Sequence, residues 1–300
     1  LTLLDARSPN NSTVSILPVK VAVVHYHLEP GGVTRVIENT LDAFAQFPEQ
    51  TKFVALSGRP YQGQKIQDVA VVEGLDYITH SQTADSTRLR ENLEKAARTA
   101  LGTAPDLWHV HNHSLGKNPA LPEAIYQLAE RGHPLLLHIH DFAEDGRPGN
   151  YHALSPVRNR LYPAGSHIRY AALNRRDHHF LADLSCNHPA PILLPNAIPE
   201  PPDAKSPRQT VDFPEQLHLY PVRAVRRKNL GELALLAAAH SDLHFANSLG
   251  PTNPEFLSKY ERWKAFSAER NLPLTFGIGE NPDLSFSEVV NASQALVTTS

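Results

Sequence analysis

The residues best suited to chemistry are a set of histidines and one basic turn. In DLWHVHNHSLG, residues 106–116, His109, His111 and His113 alternate. An extended strand puts all three imidazoles on one face for as long as the strand lasts. Three imidazoles facing one way suit a zinc ion. They suit equally a buried strand that keeps one histidine as a hydrogen-bonded core residue and uses another in an active site. We expect the core role for His109 and the active-site role for His111, which stands where the strand gives out into a crevice. His25, His27, His138 and His140, the last followed by Asp141, end other apolar runs. His27 reads as lining for a wet loop. The basic turn lies in PVRAVRRKN, where Arg223 ends an apolar run and Arg226, Arg227 and Lys228 precede a helical stretch. Arginine forks onto phosphate oxygens, and lysine meets them as a point charge. Cations at a helix start oppose its dipole, so a bound diphosphate explains them better than a solvated turn does.

These residues need a frame, and the chain supplies alternating strands and helices. Residues 19–44 read as strand, loop and helix, with Gly31 and Gly32 in the loop and Val33, Val36, Ile37, Leu41 and Phe44 at helical spacing. Adjacent glycines let a backbone approach a ligand, and a helix start favours an anion there. An ordinary tight turn explains the pair about as well, and the G-x-G-x-x-G spacing is missing. Further strands are expected at 52–57, near 77–79, at 106–116, which ends in a polar tip, and at 134–141, 167–173 and 191–197. Helices are expected from Asp85 or Ser86 to Leu101, over 119–131, and through His179. The segment 142–156 is rich in turn residues and reads as a long functional loop. Polar tips at 25–32, 109–116, 138–147 and 174–176 fall at strand ends, where open parallel sheets bind ligands.

Residues 199–214 carry prolines and polar residues and read as a linker. The alternation then restarts, with strands at 217–224, 243–249 and 294–300 and helices at 228–239, 254–271 and 284–291. The expected fold class is α/β, with two Rossmann-like parallel-sheet domains. A loose segment covers 1–18, the first domain 19–198, the linker 199–214 and the second domain 215–300. The second sheet stops on a strand with no helix after it, so we expect a domain cut short.

Composition narrows the function. Net charge of −3 gives no reason to expect nucleic acid or an anionic membrane as the main partner. Surface association with a membrane has no support in the residues, and the apolar runs are too short to span one. A single cysteine, Cys186, excludes an internal disulfide and suits a reducing, cytoplasmic setting. The chain holds no methionine, so we expect a processed fragment or a sequence from which methionine positions have been dropped.

Several stretches together resemble the GT-B-fold retaining glycosyltransferases of the group-1, or family-4-like, kind. The loop Gly31-Gly32-Val33 resembles that family's glycine loop, and DLWHVH its D-x-x-H-x-H strand, whose second histidine is here His111. LLPNAIPEP resembles the segment at its domain join. PVRAVRRKNLGELALLAA resembles G-R-x4-K-G-x3-L-L-x-A, with Arg223 and Lys228 on the pair that holds the donor diphosphate. NASQALVTTS resembles an A-D-hydrophobic-hydrophobic-x-x-S segment. Ala197, Val222 and Asn229 stand where the family has glycine, and the Glu-x7-Glu motif that follows the last segment in the family is not in this sequence.

The resemblance implies transfer of a sugar, with retention, from a nucleotide-diphosphate donor to a hydroxyl acceptor that is a sugar, a glycan or a lipid-linked glycan. It implies His111 in the catalytic cleft and Arg223, Lys228, Gly31 and Gly32 around the donor phosphates. His140, Asp141, Asn174 and Arg175 are candidates for acceptor or sugar binding. The nucleotide sugar is a co-substrate, no tightly bound cofactor is expected, and no metal is required because cations and backbone N–H groups already face the phosphates. Closure of the domains about the linker is expected to precede chemistry. Two rivals remain: a metal-dependent hydrolase built on His109 and His111 with His113, His140 or Asp141, and a non-catalytic sugar-nucleotide-binding protein. A nucleotide-sugar 2-epimerase fits the motifs less well.

Overall fold

The computed structural model describes residues 18–47, 51–78, 85–184, 189–198, 213–251 and 254–299. The chain divides between Pro199 and Glu200 into two compact units. Cys186, residues 1–17 of the N-terminal segment and most of the predicted linker lie outside the described residues.

In the first unit the strands are Val19–His25 (β1), Thr51–Ser57 (β2), Val69–Val71 (β3), Leu107–His111 (β4), Leu135–Ile139 (β5), Ile168–Ala172 (β6) and Ile192–Leu193 (β7). They form one parallel sheet in the order β3-β2-β1-β4-β5-β6-β7. Alternation along the strands sorts their side chains onto two faces. Ala22, Val24, Leu56, Trp108 and Val110 meet Leu89, Leu93 and Ala97 of helix Ser86–Leu101 (α2) and Leu121, Ile125 and Leu128 of Ala120–Glu130 (α3). Val21, Val23 and Ala55 point the other way, onto Ile37 and Leu41 of Gly32–Phe44 (α1). Asp85 caps α2 by accepting from the Arg88 N–H, which stabilises the helix by about 1 kcal/mol.

In this unit four elements differ from the sequence reading. No strand forms at 77–78, and residue 79 lies outside the described residues. The Tyr77 ring instead packs 4.6 Å from His27, and the three-residue β3 takes the sheet edge. The predicted long loop folds into Pro148–Ala153 (α4) and a 3-10 turn, Ser155–Arg160. Proline suits a first helical turn, and Leu154 and Leu161 bury against Ala143. Arg175–Leu184 (α5) runs past His179 because Leu181 reaches the core. The strand expected over 191–197 pairs only at Ile192 and Leu193, between Pro191 and Pro195, which donate no ladder hydrogen bond.

The second unit has strands Leu217–Arg223 (β8), His244–Leu249 (β9), Leu274–Phe276 (β10) and Ala295–Leu296 (β11), all parallel, in the order β10-β9-β8-β11. Leu230–Ala239 (α6) and Pro254–Glu269 (α7) bury Leu230, Leu233, Ala237 and Tyr260 against Tyr220, Phe245 and Leu274. Phe286–Ala292 (α8) puts Val289 on Leu217 and Leu219 of the other face, and Ser285 with Glu288 closes a capping box at its start. The last strand is two residues long rather than the seven expected. No described helix is long and apolar enough to cross a membrane.

Candidate functional site

In the first sheet, strand order reverses between β1 and β4, and ligands favour the carboxyl ends of strands at such a switch. His25 ends β1 and His111 ends β4. The parallel register sets His111 beside His138 of β5. Because β4 and β5 both alternate, His109, His111, His138 and His140 gather on the α1 side. The His109 and His111 ring centroids are 4.2 Å apart, and those of His138 and His140 4.3 Å. His109 Nε2 and His138 Nδ1 lie 3.2 Å apart, and His111 Nδ1 and His140 Nε2 lie 2.8 Å apart. His25 Nδ1 lies 3.4 Å from the His111 carbonyl oxygen, to which it can only donate. His111 is 1% exposed, and its Nε2 is buried without a hydrogen-bond partner.

Burial keeps these rings neutral near pH 7. It lowers His25 to about 4, with His27 adding to the effect, and His109 to about 3, with His138 adding. His138 falls to about 4 through burial, partly offset by the Leu194 backbone, and His140 to about 3 through burial and then His138. His111 lies well below the usual range, first through burial and then through His109 and the other rings. A neutral, water-poor imidazole cluster can hold a hydroxyl or a metal ion; it is not a store of positive charge. Among the described residues, His109, His111 and His138 each offer a nitrogen within 4.8 Å of the others. A cavity of about 500 Å³ reaches the same three rings and is otherwise mostly apolar, walled by Val21, Val23, Ile37 and Leu41, with Thr40 and Thr51 also in the lining.

His113 is not in this group, contrary to the alternation expected for it. Asn112 adopts φ 55°, a left-handed conformation that asparagine tolerates, and ends the strand. His113 thereby turns away and donates from Nε2 to the Leu161 carbonyl at 2.7 Å. Asn112 is a residue the sequence reading missed. Its Oδ1 accepts from the N–H groups of His140 (2.7 Å) and Asp141 (3.1 Å), so it ties the ends of β4 and β5 together. The sequence reading puts His138 in a polar tip without a role, although H-I-H at the end of β5 repeats the H-V-H spacing of β4.

The other predicted residues of this unit lie apart in role. Asp141 accepts from Arg147 Nη2 at 2.5 Å. Asn174 is exposed and caps the start of α5, its Oδ1 accepting from the Asp177 N–H at 2.9 Å. Arg175 is exposed beside it. Gly31 is extended, with φ −174°, and precedes α1, whose start has no side-chain cap. A Cβ added at Gly31 would come no closer than 3.7 Å to the Glu29 carbonyl oxygen, and one at Gly32 would meet nothing within 4 Å. Neither glycine is demanded by the local backbone, and the space in front of the loop is open.

In the second unit the switch in strand order falls at β8, and Arg223 ends that strand. Pro221 cannot donate to the ladder, and the β8–β9 register slips between Tyr220 and Arg223. The Arg223 guanidinium donates to the Gly250 carbonyl at 3.3 Å. The cations Arg226, Arg227 and Lys228 form a 3-10 turn ahead of α6, rather than its first turn as expected. Asn229 joins turn to helix with φ 43°, and Thr299 Oγ1 donates to the Lys228 carbonyl at 3.1 Å. The substitution of asparagine for the family's glycine therefore falls at a left-handed position, which these two residue types share. A cavity of about 310 Å³ adjoins the turn, with Arg226, Lys259 and Arg262 among its lining; Arg223 and Lys228 do not line it.

Two switch-point sheets of this kind make the GT-B fold, and similarity to known proteins agrees. The chain superposes on Anabaena Alr3699/HepE, solved with UDP and glucose, with a TM-score of 0.64 over 94% of this chain and 74% of that one, at 12% identity. It superposes on the catalytic domain of starch synthase IV from Arabidopsis thaliana, bound to ADP and acarbose, with a TM-score of 0.54 over 92% and 77%, at 11% identity. Such low identity shows the fold alone. In sequence, the chain is 28% identical over 270 residues to mannosylglucosyl-3-phosphoglycerate synthase of Petrotoga mobilis (strain DSM 10674 / SJ95), covering 80% of this chain and 52% of that protein. The chain thus spans about half the length of this curated relative. No protein-family model matches it.

Proposed function

We propose that the protein is a glycosyltransferase that moves a sugar from a nucleotide-diphosphate sugar to an acceptor hydroxyl, with retention at the anomeric carbon. The observation that carries the reading is the basic turn at the carboxyl end of the switch strand β8, Arg223 through Lys228, in a GT-B-fold chain related to a synthase of a glycosylated phosphoglycerate. The second unit holds the donor and the first unit the acceptor.

Bond cleavage leaves negative charge on the departing diphosphate. Arg223 and Lys228 oppose that charge as it grows, which lowers the barrier more than it tightens ground-state binding. The open loop at Gly31 and Gly32 admits phosphate or sugar against the uncapped start of α1. His111, neutral and with Nε2 unpartnered, accepts from or donates to a hydroxyl of the transferred sugar and fixes its orientation. His140 holds the other nitrogen of His111 and so sets that ring, while Asp141, Asn174 and Arg175 are the candidates for acceptor contacts. The two cations oppose the diphosphate charge without a divalent ion.

The relative's name makes a glycoside of phosphoglycerate the first acceptor to test, beside neutral sugars. Incubation with UDP-, ADP- and GDP-linked sugars, each with this panel of acceptors, should give a glycosylated product from one donor class, read by mass spectrometry. Product with inverted anomeric configuration would remove the retaining mechanism. Hydrolysis of the donor without any acceptor product would remove transferase activity.

A further inference from the structure

We propose that His109, His111 and His138 form a three-imidazole site for a borderline divalent transition-metal ion, zinc in the first instance, with its fourth position open to the apolar cavity. The proposal concerns the donor-free protein and metal binding alone, because zinc and a sugar hydroxyl would compete for His111 Nε2. It rests on three observations.

The first is position. The register of β4 against β5 and the alternation along β4 bring one nitrogen from each ring within 4.8 Å of the other two. His109 Nε2 and His138 Nδ1 are already 3.2 Å apart. A tetrahedral zinc ion with Zn–N bonds of 2.0–2.1 Å holds its nitrogens roughly 3.3 Å apart, which is close to the spacing of that pair, and the His111 nitrogen has to close from within 4.8 Å.

The second is the unused nitrogen. His111 Nδ1 is engaged with His140 at 2.8 Å, while Nε2 is buried and bonded to nothing. A metal-ligating histidine is usually held in this way through its other nitrogen. Other buried side-chain polar atoms among the described residues also lack a hydrogen-bond partner, but His111 Nε2 and His138 Nε2 are the two that belong to the ring cluster, where an ion can use a lone pair.

The third is chemistry and access. The three donors are imidazoles with no carboxylate among them, which suits zinc, cobalt or nickel and does not suit magnesium or calcium. The cavity of about 500 Å³ touches all three rings, which gives the ion a route in and leaves room for water or a small anion as the fourth ligand.

The test is calorimetric titration of zinc chloride into the chelator-treated, dialysed full chain, without donor or acceptor present. One equivalent should bind, and His109→Gln and His138→Gln should each weaken binding by at least about tenfold. His179→Gln, which alters an exposed histidine on α5, should change nothing. X-ray absorption at the zinc edge on the unaltered protein should show three imidazole nitrogens at 2.0–2.1 Å, a readout that needs no variant to fold. Absence of zinc binding, binding unaffected by both substitutions, or a zinc shell with fewer than three imidazoles would overturn the site. Because no sugar nucleotide enters the experiment, failure here leaves the transferase reading standing, and failure of that reading leaves the metal site standing.

Discussion

Lowering the pH should unfold the first unit by charging its buried histidines. His25, His109, His113, His138 and His140 fall to about 3 or 4, in each case mainly through burial, against 6.5 in an unfolded chain. Above pH 6.5 both states are neutral, and these rings cost nothing. As pH drops below 6.5 the unfolded chain binds protons that the folded unit refuses, so stability falls with falling pH until the folded-state values are reached. Between pH 7.5 and 5.5 the loss is about 1.4 kcal/mol for each independent ring. For five rings it is on the order of 5 kcal/mol, comparable with the whole stability of a domain. Trp108 is fully buried in this unit, and the sequence has one other tryptophan, Trp263. In a Trp263→Phe background the Trp108 emission therefore reports the first unit's urea transition. Measured with EDTA present, the midpoint should fall by roughly 2 M between pH 7.5 and 5.5, with the slope unchanged. Replacing His113 by Gln should recover about a fifth of the loss. A midpoint that moves by less than about 0.5 M over this range would refute the picture of neutral, buried imidazoles.

Two further substitutions probe how the strand ends are built. Gly116 has φ 76°, and a Cβ there would lie 2.4 Å from the Asn150 carbonyl oxygen, so Gly116→Ala should cost about 2 kcal/mol or more and lower the thermal midpoint by several degrees. Asn112→Ala removes an acceptor for two N–H groups at a left-handed position and should cost about 2–3 kcal/mol, whereas Asn112→Asp, which keeps the acceptor, should recover most of it in the same melt.

Most of the architecture is legible in the residues because apolar runs of strand length alternate with stretches of helical spacing. β1, β4, β5 and β8 are uninterrupted enough to be read directly, and Asp85 announces α2. The short pieces are harder. β3 is three residues long and carries almost no periodic signal, whereas Tyr77-Ile78 has strand propensity that ring packing overrides. Pro148 reads as a loop residue and as a first-turn helix residue with equal ease. At the candidate site, His111 follows from its place at a strand end. His138 requires the register between β4 and β5, which no single strand contains. The departure of His113 turns on one dihedral angle at Asn112. Conversely, Asn229 looked like a departure from the family's pattern, and its φ of 43° explains why that residue serves there.

The central claim is that Arg223 and Lys228 hold a nucleoside diphosphate, and calorimetric titration of UDP, ADP and GDP into the full chain tests it most directly. One of the three should bind with unit stoichiometry. Arg223→Ala and Lys228→Ala should each weaken it by roughly 10–150-fold, the range set by about 1.5–3 kcal/mol for a charge-assisted hydrogen bond. The matching nucleoside, which lacks phosphate, should bind weakly and equally to all forms. Diphosphate binding that both substitutions leave unchanged would contradict the account.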